Sequence, residues 1–505
     1  MDQRNESGSA RRVGQKAVTT RPCAAAAPRK YLTLLLCGFL SVASSWFIVR
    51  ALRTISYPYE WSTMDGYFLY YGSRLVNGLP IYFSYELLSM PFEYVPVYPA
   101  IIGILAKLFG LGVWYERAFS LACSLAVAAL IGRVVFKTNR NLPSAFCAGL
   151  LFLAPGPLAV WHLVRGIDAL AALLGLAAIA LVAGANPDRM TWRVFVAAVL
   201  LVLAFYTKQT ALFAAATVIA YLLSQRFRCG IVTGGAFAVA CGLLFLLLQS
   251  ITGGWFYENA FVTTSSNPFL LSLLMQLLRD FCLVLFAAIP VAAAQALRSV
   301  KRANTIWTYY FIFALLAALL AGKMGAALSY FIPLFTAVCI NTGLWLGDTA
   351  LYERRPRVFV ASLVLLIIQA LAFLRNPIPA PNEEDYQKAR SVDAYIKERP
   401  GPILTERIDS FAVLNGRELS VEAVQLPFLV ARRKYDPIHL INTIERKEFS
   451  LIIYSGVYFG GIPALKHAIF ENYREIDRVP IGLFVGPMTF SVLAPGSAPL
   501  QTMSH

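Results

Sequence analysis

Charge is what this sequence has least of for its length. Only 14% of its 505 residues are Asp, Glu, Lys or Arg, against 58% hydrophobic, where a water-soluble chain carries about a quarter charged. That scarcity excludes an ordinary soluble enzyme. Histidine is rarer still, at four, and no Cys/His spacing resembles a zinc site. The eight cysteines form no framework. Cys23 lies near the N-terminus, Cys229 in a short loop, the others in or beside apolar runs, and none follows Cys339. The polar C-terminal part is therefore not a disulfide scaffold. Residues 1–30 hold no apolar stretch long enough for a signal-peptide core. Internal repeats and extended low-complexity tracts are also missing.

What the chain does have is a series of long apolar segments, the mark of a polytopic membrane protein. Candidate spans are 31–50, 117–136, 143–161, 167–184, 192–206, 209–224, 230–251, 279–297, 304–321, 328–346 and 357–374. The net charge of +16 would suggest a nucleic-acid partner in a soluble protein. Here the basic residues cluster at alternate ends of the spans, so orientation in a membrane is the better reading and no nucleic acid is expected. Residues 1–30 read as a disordered cytoplasmic tail. With that tail inside, Arg133/Lys137/Arg140, Arg189/Arg193, Arg226/Arg228, Arg298/Lys301/Arg302 and Arg354/Arg355/Arg357 fall inside as well. This map requires 95–112, which carries Lys107 and several Pro and Gly residues, to lie at the interface rather than cross. The expectation is about eleven transmembrane helices, N-terminus in and C-terminus out.

From about Asn376, beyond the proline-rich hinge NPIPAP, charged residues become common and apolar runs shrink to strand length. PILT at 402–405, FAVL at 411–414 and SLIIYS at 450–455 read as strands, with helices near 383–398 and 436–447. The expected fold class is thus an all-α membrane bundle over 31–375, with a first outer loop at 51–116. A small soluble α/β domain follows over 376–505 on the outer face.

The same map sorts polar residues onto the outer end of the bundle. They are Glu60 and Asp65 in YPYEWSTMDGYFLYY, Glu93 and Tyr94 with Tyr98 in FEYVPVYP, and Arg165 and Asp168 in WHLVRGIDAL. Lys208 and Gln209 in FYTKQTAL, Trp255 to Asn259 in GGWFYEN, and Lys323 with Tyr330 in GKMGAALSYF complete the set. Charges at the edge of a membrane are costly and usually line a wet cavity or pair inside a bundle. A cavity with two or three cations and as many carboxylates suits an anionic lipid head group together with a proton-accepting step. Each residue also has a plainer use. Asp65-Gly66 is an ordinary helix-capping turn, Glu60 suits a solvated loop, and Arg165 and Asp168 are spaced to pair with each other. Lys323 suits snorkelling, His162 core packing, and the aromatics an interfacial belt.

Taken together, Asp65-Gly66-Tyr67, Asn77-Gly78-Leu79-Pro80-Ile81-Tyr82, Tyr94-Val95-Pro96-Val97-Tyr98-Pro99, Arg117, Arg165-Gly166-Ile167-Asp168, Lys208-Gln209-Thr210 and GAALSYFIP at 325–333 resemble, in that order, membrane glycosyltransferases of the GT-C fold. The likeness is to the bacterial branch related to protein O-mannosyltransferases and the lipid A aminoarabinose transferase, and it covers roughly residues 31–375. It implies an inverting transfer of a sugar from a polyprenyl-phosphate donor to a hydroxyl of a glycan, lipid or protein. The reaction would take place on the outer side of a bacterial inner membrane. On this reading Asp65 is the general base, and Lys208, Arg165 and Lys323 hold the donor phosphate. Glu60, Glu93, Tyr94, Tyr98, Asp168, Gln209 and Tyr330 line the substrate site. Relatives often carry Asp-Glu where this chain has Asp-Gly, so no required cofactor or metal ligand is expected, although some members use a divalent metal. The rival readings are a lipid-linked-sugar transporter, for which no inverted repeat is evident, and a non-catalytic envelope-assembly subunit.

Overall fold

The structure, a computed structural model, describes residues 26–85, 92–185, 191–265, 267–302, 305–376 and 378–496. Most of the expected tail at 1–30 lies outside them. Its last residues already belong to the first helix, α1 (Ala26–Ser56).

The apolar segments fold into helices whose length and composition divide them into classes. Among the described residues six helices are long and apolar enough to cross a membrane: α1; α4 (Trp114–Asn139), reached after α2 (Asp65–Val76) and α3 (Val97–Phe109); α7 (Gly166–Ala183), which follows α5 (Leu142–Leu153) and α6 (Gly156–Val164); α10 (Phe227–Ile251), which follows α8 (Trp192–Thr207) and α9 (Leu212–Gln225); and the stretches Leu328–Gly347 and Pro356–Arg375. Two further candidate spans are broken. Helices α5 and α6 meet at 70°, with Pro155 between them, and Leu271–Val284 meets Ala288–Val300 at 92°. Counting each bent pair as one span gives up to eight. The other three segments expected to span are shorter apolar helices: α8, Gln209–Gln225 and Ile306–Gly322. Eleven spans are therefore not reached by length and composition. Residues 95–112, expected at the interface, contain α3, a 13-residue helix.

Small residues let the helices approach closely, as packing without a hydrophobic drive between helices demands. A Cβ built on Gly149 would crowd the Ala128 carbonyl, and one on Gly343 would meet Ala148 and Val135. Helices α2 and α3 cross where Gly72 and Gly103 face each other backbone to backbone, leaving no room for a side chain on either. That crossing fixes the polar segment between α1 and α4 against the end of the bundle.

The C-terminal part contains a four-stranded mixed sheet of order β1-β2-β4-β3. Its strands are β1 (Ile403–Thr405), β2 (Leu451–Tyr454), β3 (Tyr473–Leu483) and β4 (Gly486–Pro495). Strands β1 and β2 pair in parallel, and β4 runs antiparallel to both β2 and β3. Helix Glu383–Glu398 starts at a reciprocal cap between Asn382 and Asp385, and Ile438–Glu445 forms the second expected helix. FAVL at 411–414 is not a strand. It forms the end of helix Asp409–Leu414, whose residues 409–413 are buried. The hairpin of β3 and β4 is not among the expected strands, and its four charges, Arg474, Glu475, Asp477 and Arg478, all fall in the first half of β3.

Buried polar contacts join the C-terminal part to the bundle. Arg50 Nη1 donates to the Ile378 carbonyl at 2.8 Å, Tyr57 Oη to the Asp385 carbonyl at 3.2 Å, and Phe484 N to the Trp61 carbonyl at 3.0 Å. Helix Asp409–Leu414 rests directly on α2, with Gly66 under the backbone of Asp409 and Ser410.

Candidate active site

A cavity of about 570 Å³ opens where the bundle meets the C-terminal part. Its charged wall residues are Glu93, Arg165, Lys208, Lys323, Arg407 and Glu422, joined by Tyr94, Tyr330, Tyr458, Gln209 and Gln425.

Glu93 reaches this wall through aromatic packing. It sits between Phe92 and Tyr94, whose rings pack against Tyr67 and Phe68 of α2. Its backbone N–H donates to Tyr67 Oη at 3.2 Å. The side chain of Gln425 donates from Nε2 to Glu93 Oε2. Burial pushes the Glu93 carboxyl up to about 7, partly offset by Arg165 and by the Gln425 hydrogen bond. Glu422 is raised for the same first reason, burial, with Glu93 adding like-charge repulsion. Its two oxygens accept the backbone N–H groups of Val424 (3.1 Å) and Gln425 (2.6 Å), which fixes the turn that presents Gln425.

The cations differ in how far they are committed. Lys208, at the end of α8 and buried, forms an ion pair with Asp168 on the first turn of α7, and its ammonium lies 4.4 Å from the centre of the Tyr330 ring. Arg165, in the break between α6 and α7, stacks at 5.9 Å on Trp161 and leaves Nε without a partner among the described residues. The Lys323 ammonium makes one long contact among the described residues, to the Thr264 carbonyl at 3.4 Å. Arg407, from the C-terminal part, sits 5.5 Å from the Tyr458 ring centre. The loop carrying Tyr458 is held by Glu406, whose carboxylate accepts backbone N–H groups of Ser455, Gly456, Tyr458 and Phe459 at 2.6–3.0 Å. Cations around a shared space with a carboxyl that can take up a proton can bind an anionic group and accept a proton beside it.

No protein-family model and no curated protein sequence matches the chain. Solved structures do match its shape. ArnT from Cupriavidus metallidurans bound to undecaprenyl phosphate superposes with a TM-score of 0.59 at 13% identity, covering 91% of this chain and 98% of that one. The same protein in the apo state gives 0.59 at 14% identity, over 93% and 98%. The Archaeoglobus fulgidus oligosaccharyltransferase in complex with Zn and sulfate gives 0.47 at 13% identity, over 90% and 73%. The chain has the GT-C fold.

Within this GT-C bundle the residues expected from sequence divide into three groups. Glu93, Tyr94, Arg165, Lys208, Gln209, Lys323 and Tyr330 share the cavity wall. Asp168 stands behind Lys208, lining a smaller apolar recess with it and Tyr330. Asp65, Glu60 and Tyr98 are turned to other tasks. The Asp65 carboxylate, 1% exposed, accepts N–H groups of Trp61 and Ser62 at 3.0 Å and the Arg117 guanidinium at 2.5 Å. Thr63 and Met64 line the cavity and Asp65 does not. Glu60 is buried and accepts Ser410 N at 2.6 Å, so it ties the segment after α1 to the C-terminal part rather than lying in solvent. Tyr98 donates to Glu116 at 3.0 Å and packs its hydroxyl on Gly166. Arg165 and Asp168 do not pair with each other, because Lys208 takes the carboxylate. His162 packs on Phe152 with ring centres 4.4 Å apart.

Sequence reasoning missed Arg407, Glu422, Gln425 and Tyr458. They lie in segments without a motif, and only the docking of the C-terminal part brings them to the bundle. One clue was present in Asp65-Gly66. A side chain at 66 would overlap the backbone of Asp409 and Ser410, so the glycine records a close approach by a distant segment.

Proposed function

We propose that this protein is an inverting glycosyltransferase that moves a sugar from a polyprenyl-phosphate donor to an acceptor hydroxyl. The proposed site is the outer face of a bacterial plasma membrane, with residues 376–505 forming the extracytoplasmic domain that roofs it. One observation carries this reading: Glu93, a buried carboxyl poised near neutrality, shares a cavity at the bundle's end with Arg165 and Lys323. The binding of undecaprenyl phosphate by ArnT, of the same fold, supports a lipid-linked donor for this chain.

The reaction follows from the wall. The acceptor oxygen attacks the anomeric carbon from the face opposite the phosphate, and Glu93 takes the proton from that oxygen. The anomeric carbon–oxygen bond breaks with its electron pair going to the phosphate, already a stable anion, so no paired acid is required. Arg165 and Lys323 stabilise the growing phosphate charge. Lys208, neutralised by Asp168, orients Tyr330 and contributes less net charge than the sequence suggested. Asp65 acts as a positioning residue. It clamps Arg117 and the turn at 61–62, from which α2 carries Tyr67 to the backbone of Glu93. This scheme needs no cofactor.

A second reading keeps Asp65 as the base, since its neighbours Thr63 and Met64 already line the cavity. Purified protein incubated with a panel of polyprenyl-phosphate sugars, with released polyprenyl phosphate measured, tests the activity and separates the two carboxylates. Glu93→Gln should abolish release with donor binding intact. Loss in Asp65→Asn with Glu93→Gln still active would transfer the role to Asp65. No release by wild-type protein from any donor would favour a transporter or an assembly subunit.

A further inference from the structure

Gln425 has an unusual position on the cavity wall. It is 3% exposed, and it lies in a part of the chain for which the sequence offered no role. Its amide orientation is set by its partner. In the structure Nε2 donates to Glu93 Oε2. The other end, Oε1, is buried without a hydrogen-bond partner among the described residues. A buried amide oxygen left unpaired costs more than a typical hydrogen bond returns, and this one belongs to a residue of the cavity wall. Two devices hold the amide there. Glu422 accepts the backbone N–H of Gln425 itself at 2.6 Å, and the turn leads directly into helix Leu426–Ala431.

We propose that Gln425 reads the acceptor as a polyhydroxylated sugar, its Oε1 accepting a hydrogen bond from the hydroxyl beside the one that Glu93 deprotonates. The inference rests on the transferase reading above and deepens it by naming the acceptor class. A single amide that touches the base through Nε2 and offers an acceptor through Oε1 places two acceptor atoms side by side. Neighbouring ring hydroxyls meet both, whereas an isolated alcohol satisfies Glu93 and leaves Oε1 unpaired. The C-terminal domain thereby becomes part of the acceptor site, and Gln425 is both a positioning and a specificity residue.

The test compares methyl glucoside, its singly deoxygenated forms and 1-butanol as acceptors in the polyprenyl-phosphate release assay. Saturation-transfer NMR of methyl glucoside on the same samples reads binding without turnover. Wild-type protein should prefer methyl glucoside to butanol by about tenfold or more, the worth of one hydrogen bond to a group otherwise left unsatisfied. One deoxygenated form should lose that preference. Gln425→Leu should bring the ratio close to one and weaken the glucoside NMR signal. Gln425→Glu, which keeps an acceptor oxygen of the same reach, should retain the preference while shifting the pH profile upward through repulsion of Glu93. An unchanged ratio in Gln425→Leu, with active protein, overturns the proposal and leaves the transferase reading standing. Glucoside binding that depends on Gln425 without polyprenyl phosphate release from any donor overturns the transferase reading instead. Preference lost equally in both Gln425 variants would mark the residue as merely structural and also overturn the proposal.

Discussion

Replacing Arg117 with methionine should unseat the segment that presents the site. Arg117 is 1% exposed. Its Nη1 donates to the carbonyls of Thr54 and Tyr57 at 2.8 and 2.6 Å, and its Nη2 to the Tyr59 carbonyl at 2.6 Å and Asp65 Oδ2 at 2.5 Å. One side chain therefore closes the end of α1, the following turn and the start of α2. Methionine fills a similar volume and removes four hydrogen bonds, leaving the Asp65 charge buried with only two amides. Breaking one half of a buried ion pair costs about 3–5 kcal/mol, and the orphaned carbonyls of Tyr57 and Tyr59 add to it. Against a typical total of about 5–15 kcal/mol, the loss is large. Thermal unfolding in detergent should show a drop in Tm of several degrees or more. Asp65→Asn/Arg117→Met should recover part of the loss, since the stranded charge is gone, giving a coupling of about 1–3 kcal/mol in the cycle. A Tm within a degree of wild type for Arg117→Met, or strict additivity in the double variant, would refute the clamp.

Gly66→Ala should weaken the seating of the C-terminal part without touching the cavity wall, because the new methyl overlaps the Asp409–Ser410 backbone. A cost of about 1–3 kcal/mol should appear as faster proteolytic release of the C-terminal part. The seam should also be tighter in acid. Glu93 and Asp409 are pushed by burial from 4.5 and 3.8 to about 7, so in the fold they stay neutral while the unfolded chain ionises. Their contribution is full below about pH 4 and falls away as pH rises to about 7. Tm should thus be higher at pH 5 than at pH 8, with the difference reduced in Asp409→Asn, and a rise in Tm with pH would contradict this. Lys323→Ala should leave Tm unchanged, its one contact being long, yet weaken polyprenyl phosphate binding about tenfold in a titration. Lys208→Met should lower Tm by stranding Asp168.

Much of this arrangement could be read from the residues, and the remainder has physical reasons for being hidden. The apolar runs, the change of character near Asn376, helix 383–398 and the strands at 402–405 and 450–455 follow local periodicity. The bent pairs did not show, because a run such as 143–161 has the composition of one span and breaks only at Pro155. FAVL misled because a four-residue apolar run does not distinguish a buried strand from a buried helical turn. The cations at 165, 208 and 323 were legible because charge is costly near a membrane, but their commitments were not. Lys208 and Asp168 lie 40 residues apart in sequence and pair across two helices. Asp65 drew attention for its place in a motif, yet Arg117, which opens α4, decides what its carboxylate does. Glu422 and Gln425 carry no local signal at all, since their meaning lies in Glu93, more than 300 residues earlier.

The most direct measurement is the pH–rate profile of polyprenyl phosphate release by wild-type, Glu93→Gln and Asp65→Asn proteins, each checked for monodispersity. The account predicts a wild-type rate that rises with pH through about 7 as Glu93 ionises. It predicts a rate about 10²–10⁴-fold lower and without that inflection in Glu93→Gln, and the inflection retained in Asp65→Asn. A Glu93→Gln enzyme that keeps both rate and inflection would contradict it.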